Sequence, residues 1–123
     1  VGVVGQDGLD RLLRSAHLVV GTLALQRKHM REACPLKVRE AVARGLPVIT
    51  ACIDPDLPDD LPGILRLPAD EAPIDGDALV ERAIAMTRDV EVPPTLRTHA
   101  VSVLDWRPKL RRLSDFVTGV VHR

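Results

Sequence analysis

The sequence predicts an α/β domain in which a parallel sheet carries helices on both faces. Short β-branched apolar runs stand at 1–5 (VGVVG), 17–21 (HLVVG), 46–52 (LPVITAC) and 64–67 (ILRL), a length that suits buried strands. Between and after them apolar residues recur at helical spacing, and glycine or proline marks several junctions. Strands alternating with helices in this way join through right-handed crossovers into one parallel sheet.

The elements follow in order. After the first run, Asp7 precedes Leu9, Leu12 and Leu13 at helical spacing. Glycines at 2, 5 and 8 resemble a dinucleotide fingerprint only loosely, because Val3 stands where its spacing needs the first glycine, and they read as turn glycines. Residues 22–31 mix apolar and basic side chains without a period and read as an irregular excursion. The segment 36–44 is a helix with Pro35 at its first position, where a missing N–H costs nothing, and Gly45 at its left-handed end. Val38, Ala41 and Val42 share its core-facing side, which leaves Glu40 off that stripe. Pro47 opens the next strand, 53–62 is a loop of prolines and aspartates, and Asp75 or Asp77 caps a helix carrying Leu79, Val80, Ala83 and Ile84. Two closing helices are predicted at about 94–104 and 108–120, the second with Leu110, Leu113, Phe116 and Val117 on one stripe.

The bulk properties bound the function. The 123 residues, 46% of them apolar, suffice for a single domain over 1–123 with a sizeable core. A formal net charge of zero removes the broad electrostatic argument for a nucleic-acid partner or an anionic membrane surface. Charge is uneven, however: eight acids stand between Asp54 and Asp77 against Arg66 alone, and the chain beyond Arg97 is basic. No segment approaches the roughly 18 apolar residues of a membrane span, so membrane association is not detectable at this level. Two widely spaced cysteines predict a reducing, cytoplasmic compartment rather than a disulfide scaffold. A start at Val1, inside an apolar run and without an initiator methionine, suggests a piece of a longer protein.

The stretch 32–49 (EACPLKVREAVARGLPVI) carries the chemistry. In a parallel sheet ligands bind beyond the carboxyl ends of the strands, and the loop with Glu32 and Cys34 leaves the 17–21 strand at that end. The N–H groups of Leu36, Lys37 and Val38 open the helix without intrahelical partners, a terminus suited to a phosphate or sugar hydroxyls. Glu40 lies about 7.5 Å further along the helix at 1.5 Å per residue, the offset of a ribose from a diphosphate at the helix start. From spacing alone Glu40 reads first as a solvated residue paired weakly with Lys37 and Arg44.

This stretch resembles the glycosyl transferases group 1, a family 4-like class of retaining GT-B glycosyltransferases. The similarity rests on Glu32, the loop Ala33-Cys34-Pro35-Leu36, Glu40 eight positions after the first glutamate, and Ala43-Arg44-Gly45-Leu46-Pro47-Val48-Ile49. Weaker agreement comes from Gly21-Thr22-Leu23-Ala24-Leu25 with Arg27-Lys28, and from Asp105-Trp106. The resemblance implies a Rossmann-like sheet, the C-terminal half of a GT-B architecture, and transfer of a sugar with retention from a nucleoside-diphosphate sugar. In that reading Glu40 holds the ribose, Glu32 stabilises charge on the sugar, and Cys34, Pro35 and Leu36 line the sugar and diphosphate. Gln6, after the first predicted strand, falls where the family meets the base. No cofactor and no essential metal are implied; the nucleotide sugar is a substrate. An N-terminal acceptor-binding domain, and an Arg and Lys for the diphosphate, are expected upstream of Val1. The segment CIDPDLPDDLPG departs from the family's glycine-rich turn.

Other chemistries fit less well. Cys34 at a helix start invites thiolate catalysis, but no histidine immediately precedes it and the nearest patterned cation is Arg39. His17, His29, Cys34 and Cys52 lack the paired spacing of a metal site. Lys28, Arg31 and Lys37 read as solvated cations within possible reach of a phosphate, His99 and His122 as surface residues, and Trp106 as an anchor packing the last helix. A non-catalytic α/β binding or interaction module is the competing functional class.

Overall fold

The β-branched residues of the later three runs form the sheet. In the computed structural model, which describes residues 2–121, β1 (Val19–Val20), β2 (Val48–Thr50) and β3 (Ile64–Arg66) lie side by side in that order, all parallel. Val19 stands opposite Val48, which stands opposite Ile64. Alternation across the pleat then divides the side chains between two faces. Val48 and Ile64 join one core cluster with helical side chains, whereas Ile49 and Leu65 are buried outside it, so the second face is also covered. Val20, on the edge strand, is half exposed.

The helices are α1 (Gln6–Ser15), α2 (Leu36–Arg44), α3 (Gly76–Arg88), α4 (Val92–His99) and α5 (Trp106–Val121). A 3₁₀ turn at Leu25–Lys28 interrupts the excursion expected to be irregular. The core sits between β1–β3, α2 and α4, where Val38, Ala41 and Val42 of α2 meet Val92 and Leu96 of α4 over Val48 and Ile64. Each fully buried Val or Leu there contributes about 1.5–3 kcal/mol relative to exposure. Leu57 and Leu61, from the proline-aspartate loop, plug one side of the same cluster.

The site helix begins and ends where its sequence dictates. Pro35 is the residue before the first helical one rather than the first itself, with extended ψ of 122°, and its carbonyl accepts from Val38 N–H at 3.0 Å and Arg39 N–H at 3.2 Å. Gly45 closes the helix in the left-handed conformation at φ 77°. Asp75 caps α3 by accepting from the N–H groups of Asp77 and Ala78, both at 3.1 Å.

Several expectations are corrected. Residues 2–5 form no strand; Val1 lies outside the described residues, and Val3 is fully exposed, with no neighbouring strand to complete a ladder. The remaining strands are shorter than their apolar runs, although single backbone hydrogen bonds such as Gly21 N–H to Ile49 C=O (2.7 Å) and Leu67 N–H to Thr50 C=O (2.8 Å) continue past their ends. The first closing helix starts at Val92 and widens into a π-helical segment, Ala100–Leu104, before Asp105 breaks the chain with an extended ψ of 137°. Beyond that break, α5 has no buried residue, so Trp106, at 73% exposure, does not anchor it. No helix among the described residues is long and apolar enough to cross a membrane.

Candidate functional site

The carboxyl edge of the sheet is shaped by three loops that continue the strand register. Beyond β1 the chain stays in step with the residues after β2: Ala51 N–H donates to Thr22 C=O at 2.9 Å, Ile53 N–H to Arg31 C=O at 3.0 Å, and Ala33 N–H to Ile53 C=O at 2.9 Å. Glu32 and Ile53 thereby form an isolated parallel bridge. The backbone of Glu32 is fixed by that bridge while its side chain remains exposed. Beneath it, buried Gly21 permits close contact between β1 and α2: a Cβ there would lie 2.8 Å from Val38 Cγ2 and 3.1 Å from Thr50 Oγ1.

Cys34 and Leu36 line a groove of about 740 Å³ between the start of α2 and the chain from α4 to α5. Arg39 and Ala43 complete the α2 wall, and Ala100, Val101, Leu104, Asp105 and Trp106 form the opposite one. Cys34 is an exposed free thiol; Cys52 is free and buried. Of the three N–H groups expected to open the helix, that of Val38 is taken by Pro35, leaving Leu36 and Lys37 without a backbone acceptor among the described residues. Two smaller recesses open beyond β2 and β3. One, of about 280 Å³, is closed by α3 residues Ala78, Leu79 and Arg82; the other, of about 260 Å³, is lined by Arg31, Ile53 and Arg66.

Glu40 lies outside all of these spaces. Its Oε1 accepts from Arg44 Nη2 at 2.9 Å, the i,i+4 pair that its spacing suggests, and its side chain is 37% exposed. The same Arg44 nitrogen donates to Asp10 of α1. Gln6 opens α1 one turn before Asp10 and is exposed. The structure thus gathers Cys34, Pro35 and Leu36 at the head of α2, sets Glu32 beside β2 through the bridge, and ties Glu40 to α1 through Arg44. Among the described residues no hydrogen bond joins the Gln6 side chain to another expected site residue.

One cluster escaped the sequence reading. Arg39, 19% exposed, donates from Nε to Asp54 Oδ2 at 2.8 Å and from Nη2 to Asp54 Oδ1 at 2.6 Å, and also from Nη2 to Asp56 Oδ2 at 2.8 Å. Asp54 is 3% exposed, so its charge is neutralised by a two-pronged contact inside the fold. Lys109 of α5 donates to the same Asp56 oxygen, and His99 Nε2 lies 2.6 Å from the Asp56 carbonyl, so His99 is not the free surface residue expected. The hydrogen bond from Lys109 holds the Asp56 carboxyl below its ordinary value, and the bond to Asp54 raises Arg39 further above its own. The available signal was the acid excess of the 54–60 loop, which demands cations from elsewhere in the chain. Arg66 supplies another, donating to the carbonyls of Leu57 (3.0 Å) and Cys52 and to Asp59.

The far rim is closed by Arg27, which donates from Nε to Glu71 Oε1 at 2.9 Å and from Nη2 to Oε2 at 2.6 Å, lowering the Glu71 carboxyl. Among the described residues no three His, Cys, Asp or Glu side chains gather as a metal site. Chemically, the edge offers two open N–H groups, an exposed carboxylate at Glu32 and an exposed guanidinium at Arg31, all beyond the strand ends. No family model, curated protein or solved structure matches the chain.

Proposed function

We propose that this chain is the donor-binding, Rossmann-like half of a GT-B glycosyltransferase, which transfers a sugar with retention from a nucleoside-diphosphate sugar. The observation that carries the reading is the head of α2, whose Leu36 and Lys37 N–H groups open at the carboxyl edge of a parallel sheet beside Glu32. The diphosphate sits at those groups, where the helix dipole favours negative charge. Its sugar lies against residues 32–35. Glu40, still carrying one oxygen not engaged by Arg44, accepts from the ribose diol, and Arg44 orients it for that role.

In this reaction the protein acts through electrostatics. The open N–H groups stabilise charge developing on the departing diphosphate, and Glu32 faces positive charge on the sugar ring. No metal is required by the residues named, and the acceptor is held by a second domain. A panel of nucleoside diphosphates followed by thermal unfolding tests the proposal, because a ligand bound only by the folded state must stabilise it. Stabilisation by UDP or GDP, reduced in Glu40→Ala, is expected.

The closure of Glu40, Arg44 and Asp10 into a structural ion cluster favours a second reading, a non-catalytic α/β module. That reading predicts no response to any nucleotide and a loss of stability in Glu40→Ala.

A further inference from the structure

We propose that α5 is a latched strap: Lys109 holds it to the domain through Asp56, and release of that contact lets the helix swing about Asp105 and open the groove at the head of α2. The tether is single. Within α5 only Pro108 and Lys109 escape full exposure, and every residue from Leu110 to Val121 is exposed. Among the described residues, the bond from Lys109 to Asp56 is the one side-chain hydrogen bond that ties α5 to another part of the fold. Arg107 pairs only with Asp105, inside the turn that starts the helix. At Asp105 the extended ψ of 137° interrupts the helical run, which supplies the hinge.

Asp56 is built as a fixed catch. Its Oδ2 accepts from Lys109 and also from Arg39 Nη2 at 2.8 Å, and Arg39 is itself fastened to buried Asp54 by two bonds. His99 Nε2 lies 2.6 Å from the Asp56 carbonyl and holds the same loop from α4. When Lys109 lets go, the catch therefore stays with α2 and α4, and only α5 is freed. The pair is part-exposed, 33% at Lys109 and 27% at Asp56, and such a pair biases an equilibrium by about ten-fold at most and weakens in salt. The released position is thus populated alongside the latched one. Asp105 and Trp106 line the groove opposite Cys34 and Leu36, so the swing widens it from one wall while the α2 wall stays in place. A latched α5 gates this groove whatever ligand the head of α2 takes.

Two side chains on opposite walls of the groove report the strap. Cys34 is the exposed thiol, Cys52 is buried, and Trp106 is the single tryptophan of the chain. A bimane fluorophore attached to Cys34 is quenched by an indole within contact range, and Trp106→Phe sets the unquenched level. Wild type at low salt is expected to be quenched relative to that level. Lys109→Met is expected to raise the emission about two-fold or more, and added salt to move wild type in the same direction. Arg111→Gln removes an equal charge from an exposed position of α5 and is expected to leave the emission unchanged. Hydrogen exchange of the α2 and α4 amides is expected to match wild type in Lys109→Met, which shows that the core is intact. A Lys109→Met protein as strongly quenched as wild type overturns the proposal, and so does wild-type emission already at the Trp106→Phe level. Equal recovery in Arg111→Gln also overturns it, because the effect then belongs to the net charge of α5 and not to the latch.

Discussion

Arg39 of the site helix grips Asp54 from the loop after β2 through two hydrogen bonds of 2.8 and 2.6 Å. This contact locks the head of α2 to the carboxyl edge of the sheet. It neutralises an aspartate that would otherwise be a buried lone charge. Arg39→Ala is therefore expected to cost about 3 kcal/mol in urea unfolding, the scale for breaking a buried pair from one side. Arg39→Lys recovers only part of this, because an ammonium cannot satisfy both carboxylate oxygens in the same fork geometry. A loss under about 1 kcal/mol for the alanine variant contradicts the assignment.

The Asp56–Lys109 contact gives the acid limb of stability a defined sign. The folded-state value of Asp56 lies below its ordinary 3.8, chiefly through the Lys109 hydrogen bond. Its stabilisation is complete above pH 3.8 and is lost as pH falls through the lower folded value. Wild type and Asp56→Asn should differ in unfolding midpoint at pH 7 and converge as pH falls through the lowered folded-state value. A gap that stays constant across that range would show that the charge on Asp56 is immaterial.

Two glycines distinguish conformational need from chain entropy. Gly63 has φ 87°, and a Cβ there would lie 2.6 Å from Val92 Cγ1 and 2.9 Å from Leu96 Cδ1, both in the core. Gly63→Ala should cost about 2 kcal/mol or more, since strain and overpacking add. Gly76, at the start of α3, has nothing within 4 Å of such a Cβ. Gly76→Ala should stabilise by about 0.5 kcal/mol. Paired thermal melts check both signs.

The legible part of the fold was local. Pro35 and Gly45 bracket α2 in the sequence because helix ends depend on backbone chemistry a few residues wide, and Val38, Ala41 and Val42 declared its buried face through period alone. The Glu40–Arg44 pair was equally visible at i,i+4. The Arg39–Asp54 pair was not, because fifteen residues separate partners that meet only after β2 is placed. Residues 2–5 misled for a related reason: β-branched residues suit a strand, but a strand exists only where a neighbour supplies the ladder. The stripe on α5 was legible as a stripe; its exposure follows from the break at Asp105, which no periodicity records. At the site, the head of α2 was legible, and the engagement of Val38 N–H by Pro35 and of Arg44 by Asp10 was not, since both depend on where the preceding chain is held.

In the proposed function Glu40 reads a ribose beside a diphosphate at the head of α2. Isothermal titration of UDP and GDP against their 2′-deoxy counterparts tests it most directly, with wild type and Glu40→Ala side by side. Wild type is predicted to bind the ribonucleotide about ten-fold more tightly, the scale of one charge-assisted hydrogen bond, and the variant to lose that preference. Failure to bind any of the four ligands, or a ribose preference that survives in Glu40→Ala, would contradict the account.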